Sequence, residues 1–183
     1  AAFEKFVEEQ RAILEQEYKT TDPNLQVQLE GTVTPDQVAT QNFTSILLRA
    51  IYATPNGIYR MSPEIEGLVQ TSNNVARVEL KDGAYKILCL TRSSVDSEKF
   101  DLAAAIQSAL ELAGAEVTLS GSYPGWAPNP EASIIKLMSD LYRSKFNSEP
   151  DVNACHAGLE CGILGSNYPG MEMISFGPNI RGA

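Results

Sequence analysis

The 183-residue chain has no apolar run approaching the roughly 20 residues that a membrane-spanning helix requires, so no such span is expected. Basic residues are few: 14 Lys and Arg stand against 23 Asp and Glu, a net charge of −9. With no basic stripe to displace counterions, a phosphate backbone would be repelled, and nucleic acid is not expected as a partner. Cysteines number three, an odd count that fits reduced thiols better than a disulfide framework. Low-complexity tracts, long charge runs and repeats of fixed period are missing too, which argues against disorder. The start, Ala1-Ala2-Phe3-Glu4-Lys5, lacks the basic segment and apolar centre of a secretory signal, and the expected setting is cytoplasmic.

What is there is a globular composition, 43% hydrophobic with 13 glycines and 10 prolines, enough for one core or one core plus part of another. Phe3, Phe6, Val7, Ile13, Leu14 and Tyr18 recur at helical spacing among glutamates and predict an amphipathic helix over 2–19. From Leu25 the period drops to two: Leu25, Val27 and Leu29 alternate with Gln26, Gln28 and Glu30, as in a strand with one wet face. Thr34-Pro35-Asp36-Gln37 has the form of a capping box with proline at the first helical position. The helix it predicts carries a stripe of Ala39, Phe43, Ile46, Leu47, Ala50 and Ile51 and stops at Thr54-Pro55-Asn56-Gly57.

A short strand is expected near 67–71. A hairpin then joins 75–81 to 84–91, because Asp82-Gly83 suits the positive φ angles of a type I′ turn. The second arm is apolar on both faces, so it is either covered twice or closes a cleft on one side. Leu102, Ile106, Ala109, Leu110 and Ala113 form the stripe of the next helix, capped by Asp96 or Ser97 and ended by Gly114, with a strand at 116–121 after it. The loop Ser122–Pro130 is the expected boundary. Beyond it the order is a helix through Ile134 to Tyr142, a strand at 151–157, a helix from about Leu159 and a strand at 171–176, too thin a layer to bury its own faces. A fragment of a larger domain is the expectation.

Residues 155–162, CHAGLECG, gather the single histidine, two cysteines and a glutamate. On a strand, Cys155 and His156 face apart, and Cys-x5-Cys has neither zinc-ribbon nor redox spacing, so neither a metal site nor a cysteine nucleophile is supported. The segment offers instead a glycine turn leading into a helix start, which can bind an anion or be a plain tight turn with inert buried thiols. Arg92 shares a face with Leu88 and Leu90 and ends an apolar row; it suits a carboxylate, or equally a local ion pair with Asp96 or Glu98. Asn73-Asn74 could form only a turn, and Trp126 could be only a loop anchor.

Taken together, PNGIYRMSPEIEGLVQTSNN, LCLTRSSVDS, LAGA, YPGWAP, HAGLECG and YPGMEMISFGPNI resemble, in order, the C-terminal half of the aminoacyl-histidine dipeptidases, the PepD-like Xaa-His enzymes of the M20 metallopeptidases. The resemblance covers nearly the whole chain. It is specific at HAGLECG and YPGW and weakest over the first forty residues. It implies an α+β protein, with the later part of a ferredoxin-like lid domain at 1–121 (antiparallel sheet, helices on one face) and a partial α/β segment of the catalytic domain at 122–183. It implies a parent that uses two zinc ions to hydrolyse Xaa-His dipeptides. The family's H-x-D motif and acidic ligands have no counterpart in this sequence, and its last histidine ligand would follow Ala183, so no catalytic residue or metal ligand is expected here and the isolated chain is expected to be inactive. The residues implied to bind substrate are Arg92, as a clamp on the dipeptide's carboxylate, Asn74, facing the substrate, and His156, Gly158 and Glu160 of HAGLECG. A homodimer through the lid is a further implication. The alternatives are a non-catalytic lid or self-association module and an M20-type peptidase acting on other small peptides.

Overall fold

A computed structural model describes residues 2–156 and 159–177. The chain divides by its contacts into two units, Ala1–Val38 and Ala39–Ala183.

The first unit holds α1 (Ala2–Glu17). Val7, Arg11 and Leu14, one turn apart, form its half-buried stripe. The strand expected from Leu25 does not form. Its alternation survives, with Leu25 and Val27 half-buried and Gln26 and Gln28 exposed, but no strand is laddered to it; the Val27 carbonyl accepts instead from Arg11 Nε at 2.8 Å. Period-two patterning makes an extended segment, whereas a strand needs a neighbour to satisfy its backbone groups.

The second unit opens with α2 (Gln41–Ala53), which starts well after the Thr34 capping box predicts. Thr40 is the true N-cap, its hydroxyl accepting from the Phe43 amide at 3.2 Å. Leu47 and Ala50 are buried as expected, and Thr54 ends the helix, its amide and hydroxyl both bonding the Ala50 carbonyl. Three antiparallel strands follow in the order β1-β2-β3: β1 (Gly57–Met61), β2 (Val69–Lys81) and β3 (Ala84–Ser93). The short strand at 67–71 and the first hairpin arm are thus one long strand, with a register shift between Val75 and Arg77. The tight turn is as predicted, with φ of 52° at Asp82 and 75° at Gly83.

Odd-numbered residues of β3 face the helices. Ile87 and Cys89 pack against Leu102, Ile106 and Leu110 of α3 (Asp96–Glu111), and the Tyr85 ring lies 5.7 Å from that of Phe43 on α2. Both helices therefore cover one face of the sheet. Ala115 and Val117 join this core, but 116–121 carries no ladder, and it is not the predicted strand. α4 (Ser133–Phe146) and α5 (Leu159–Asn167) lie where the sequence puts helices. The strands expected at 151–157 and 171–176 are irregular at every described residue, so no parallel α/β layer is present among the described residues. The cause is the same as at Leu25: neither stretch has a neighbouring strand among the described residues to complete it.

The loop at 122–130 lies within the second unit and is fastened by close backbone contact. A Cβ on Gly125 would stand 2.5 Å from the Ser94 carbonyl oxygen, and one on Gly162 of α5 would overlap the carbonyl of Pro124. The glycines of YPGW and LECG thus let Ser94, the loop and α5 touch through their main chains. Lys99 reinforces the seam, reaching Asp96 Oδ1 at 2.6 Å and the Tyr123 carbonyl at 2.5 Å, while the Gly125 amide donates to the same Asp96 oxygen at 2.9 Å. The Lys99 hydrogen bond and charge, with help from that amide and against a smaller effect of burial, hold the Asp96 carboxyl below its ordinary value.

Candidate functional site

Even-numbered residues of β3 project from the face that the helices leave open. Leu88, Leu90 and Arg92 lie there, all exposed, so of the two readings of an arm apolar on both sides, the cleft is the one realised. Cross-strand pairing sets Arg92 opposite Ser72 and Leu90 opposite Asn74, and Ser72 is also paired with Ile58 of β1. A cleft of about 450 Å³ opens on this face, lined by polar Asn56, Ser72, Asn74, Arg92 and His156 above apolar Ile58, Val69 and Leu90. Asn73-Asn74 is strand, not turn.

His156 reaches the cleft from 84 positions along the chain, its Nε2 lying 3.2 Å from Ser72 Oγ. Arg92 makes no ion pair among the described residues. The carboxylates that could have taken it have other partners: Glu98 pairs with Arg60 at 2.5 Å and Asp96 with Lys99. Its local-ion-pair reading is therefore not what the structure holds, and a guanidinium at the rim of a concave, partly apolar surface can receive a carboxylate.

The walls are held from behind. Asn73, 3% exposed, donates through Nδ2 to the Pro55 carbonyl at 2.7 Å and accepts at Oδ1 from Thr91 Oγ1 at 3.0 Å; Asn56 Oδ1 accepts from the Val75 amide at 2.9 Å. These bonds tie the α2–β1 turn to β2. On the helix side, Glu98 Oε2 accepts from Gln70 Nε2 and from Thr71 Oγ1, each at 2.8 Å. Thr71 has one hydroxyl proton and gives it to Glu98, so the 2.8 Å contact between Thr71 and Ser93 is a donation from Ser93, whose oxygen in turn accepts from the Val95 amide at 3.0 Å. The relay runs from the start of α3 through both strands and back to α3. It lies directly behind the Ser72–Arg92 pair, because Thr71 and Ser93 are the adjacent cross-strand pair pointing the other way. Burial alone would raise Glu98, but the Gln70 and Thr71 hydrogen bonds and the Arg60 charge together outweigh it and hold the carboxyl below its ordinary value. Burial pushes the Cys89 thiol up, opposed by a hydrogen bond with Asn73.

Of the five site residues taken from the sequence, Arg92, Asn74 and His156 share the cleft. Glu160 is exposed in the first turn of α5 and is not among the residues lining it, while Gly158 lies outside the described residues. Ser72 and Asn56 are not singled out by the sequence, although a serine beside two asparagines in the middle of a strand of otherwise good formers is a signal of sorts. No three of His, Cys, Asp and Glu converge as a metal-binding group among the described residues, so these side chains do not fit a zinc centre of their own.

No protein-family model matches the chain. The cytosol non-specific dipeptidase of Escherichia coli (strain K12) is 36% identical to it over 170 residues, a match that covers 93% of this chain and 35% of that protein. The crystal structure of aminoacylhistidine dipeptidase from Vibrio alginolyticus superposes with a TM-score of 0.83 at 37% identity, again over 93% of this chain and 35% of the other. The chain thus spans about a third of the length of the relatives it matches. With agreement in sequence and fold along almost all of its own length, it is homologous to a portion of the aminoacylhistidine and cytosol non-specific dipeptidases.

Proposed function

We propose that the chain is the C-terminal portion of a zinc-dependent dipeptidase acting on Xaa-His dipeptides, and that it supplies groups that grip the substrate while the metal ligands lie elsewhere in the parent enzyme. Residues 1–121 are the later part of a ferredoxin-like lid, and 122–183 are a segment of the catalytic domain. The observation that carries the reading is the meeting of Asn74, Arg92 and His156, drawn from three separated motifs, around one cleft. The covering of one sheet face by α2 and α3 supports the lid assignment.

In this reading Arg92 pairs with the C-terminal carboxylate of the dipeptide, and Asn74, one strand over, bonds its peptide group, with Leu90 and Ile58 flooring the pocket. Zinc, held by residues of the parent outside this chain, would supply Lewis-acid chemistry toward water and the scissile carbonyl. This chain's part is to hold one end of the substrate at a fixed position, which lowers the entropic cost of reaction. In the full-length enzyme, Arg92→Ala is expected to lower kcat/KM by about 100-fold, the scale of a lost charge-assisted pair, chiefly through KM. Unchanged KM and kcat would refute the clamp. The purified 183-residue chain is expected to release no histidine from a dipeptide with or without added zinc. Zinc-dependent release would overturn the division of labour. A cytoplasmic location belongs to the same reading, in line with a relative named for the cytosol.

A second reading, self-association through the lid, is favoured by one feature: β3 is an edge strand, with β2 its single neighbour among the described residues. Sedimentation of the chain as a monomer at all concentrations would dismiss it.

A further inference from the structure

The cleft contains one contact that the substrate-gripping reading does not use. Ser72 Oγ and His156 Nε2 lie 3.2 Å apart, and this is the one hydrogen bond of the imidazole among the described residues. We propose that Ser72 is a positioning residue: it fixes the ring orientation and tautomer of His156 so that Nδ1, the nitrogen it leaves free, is presented to the dipeptide held by Arg92. The inference rests on the reading of the cleft as the dipeptide pocket.

Three features support the assignment. First, Ser72 occupies the middle strand, paired on one side with Ile58 and on the other with Arg92, so its Cα is fixed from both directions. The residue before it, Thr71, is fully buried and bonded to Ser93 and Glu98, which removes the remaining freedom of the backbone at that point. A hydroxyl on so rigid a base can hold a ring to one orientation, as a hydroxyl on a loop could not.

Second, His156 lies in a stretch without helix or strand at 151–156, so its own backbone gives the ring little definition. Orientation has to come from a side-chain partner, and Ser72 is the partner present. Third, engagement of Nε2 decides what Nδ1 can do. In the neutral ring one nitrogen carries the proton and the other accepts, so a hydroxyl donating to Nε2 leaves Nδ1–H as a donor, and one accepting from Nε2–H leaves Nδ1 as an acceptor. The first arrangement suits an anionic or carbonyl ligand. Since Ser72 is the cross-strand partner of Arg92, the imidazole and guanidinium are brought to adjoining points of one surface.

The test has two arms. His156 is the single histidine of the chain, so in 15N-labelled protein its ring nitrogens are identified without ambiguity. Ser72→Ala is expected to shift the Nε2 resonance and change the tautomer balance, while Ser72→Thr, which keeps the hydroxyl, leaves both near the parent values. Ring signals identical in the parent chain and Ser72→Ala would overturn the proposal, and this arm needs no substrate. In the full-length enzyme, Ser72→Ala is expected to raise KM for an Xaa-His dipeptide about 5- to 10-fold with kcat little changed, the scale of one hydrogen bond, and Ser72→Thr to restore it. In a His156→Ala background the same serine change should add less than about twofold, because its effect passes through the ring. Full additivity with His156→Ala would overturn the proposal even if Ser72→Ala weakened binding. If Arg92→Ala leaves kinetics untouched, it is the pocket reading that fails, and the ring signals still decide the Ser72–His156 link.

Discussion

Replacing Glu98 with alanine removes the acceptor at which the relay behind the cleft ends. Three interactions are lost, and their environments differ. Gln70 is 8% exposed, and its Nε2 loses a charge-assisted bond in a place that water reaches poorly, worth about 1–2 kcal/mol. Thr71 is fully buried, but it can turn its proton to Ser93 and so keep a partner, which limits its loss to about 1 kcal/mol. Arg60 is 55% exposed and rehydrates, so its ion pair adds only about 0–1 kcal/mol after solvent screening. The expected cost is about 2–4 kcal/mol, and with a urea slope of about 2 kcal/mol/M the midpoint should fall by about 1–2 M. Urea titration followed by fluorescence of the single tryptophan, Trp126, reads the unit that contains the sheet, since the loop bearing it is bonded to α3. The sign of the pH dependence gives an internal control. Because the folded carboxyl sits below its ordinary value of 4.5, the stability contributed by ionised Glu98 is fully present above that value and is lost as pH falls through the folded one. The deficit of Glu98→Ala should therefore be largest near pH 7 and shrink below about pH 4. A midpoint shift under about 0.3 M at pH 7, or one as large at pH 3 as at pH 7, would refute the role given to this carboxylate.

Leu102, with no exposed surface at the centre of the α3–β3 core, should cost about 3–5 kcal/mol on truncation to alanine, measured by the same titration. Gly162→Ala places a methyl against the Pro124 carbonyl and is expected to destabilise by about 1–3 kcal/mol, with a blue or red shift of Trp126 emission as the loop is pushed off; unaltered stability and spectrum would contradict the contact. Glu172 caps α4 from 39 positions away, accepting from the Ser133 hydroxyl at 2.6 Å, the Ser133 amide at 3.0 Å and the Ile134 amide at 3.1 Å, and these bonds hold its carboxyl below the ordinary value. Glu172→Gln should weaken amide-exchange protection in the first turn of α4 at neutral pH, and the difference should fade as pH falls below the ordinary carboxyl value and the parent side chain takes up its proton.

Sequence signals are legible where local physics decides the outcome. The Leu102, Ile106 and Leu110 stripe finds its core, Asp82-Gly83 makes its turn, and the row of Leu88, Leu90 and Arg92 proves to be one open face. Thr34 loses to Thr40, the residue whose hydroxyl takes the Phe43 amide, because two capping sequences precede one helix and the local pattern does not rank them. β1 gives no signal because every one of its residues is exposed, which leaves no burial alternation to detect. The segments with strand-like patterns at 25–30, 116–121, 151–157 and 171–176 are not laddered at their described residues, since a ladder needs a neighbouring strand, which the pattern itself does not supply. In the cleft, Arg92 and Asn74 are reached through motif resemblance, and Ser72 is not, because its partner His156 is 84 positions away.

The seam of Ser94, Lys99 and Asp96 with Tyr123 and Gly125 fixes how the polypeptide leaves the sheet layer. The connection is clasped at Tyr123 and Gly125. From there Ala127-Pro128-Asn129-Pro130 leads to α4, with two proline rings restricting its torsions. Gly162, seated against the Pro124 carbonyl, brings α5 back onto the same clasp, so the anchorage of the loop is also the anchorage of α5.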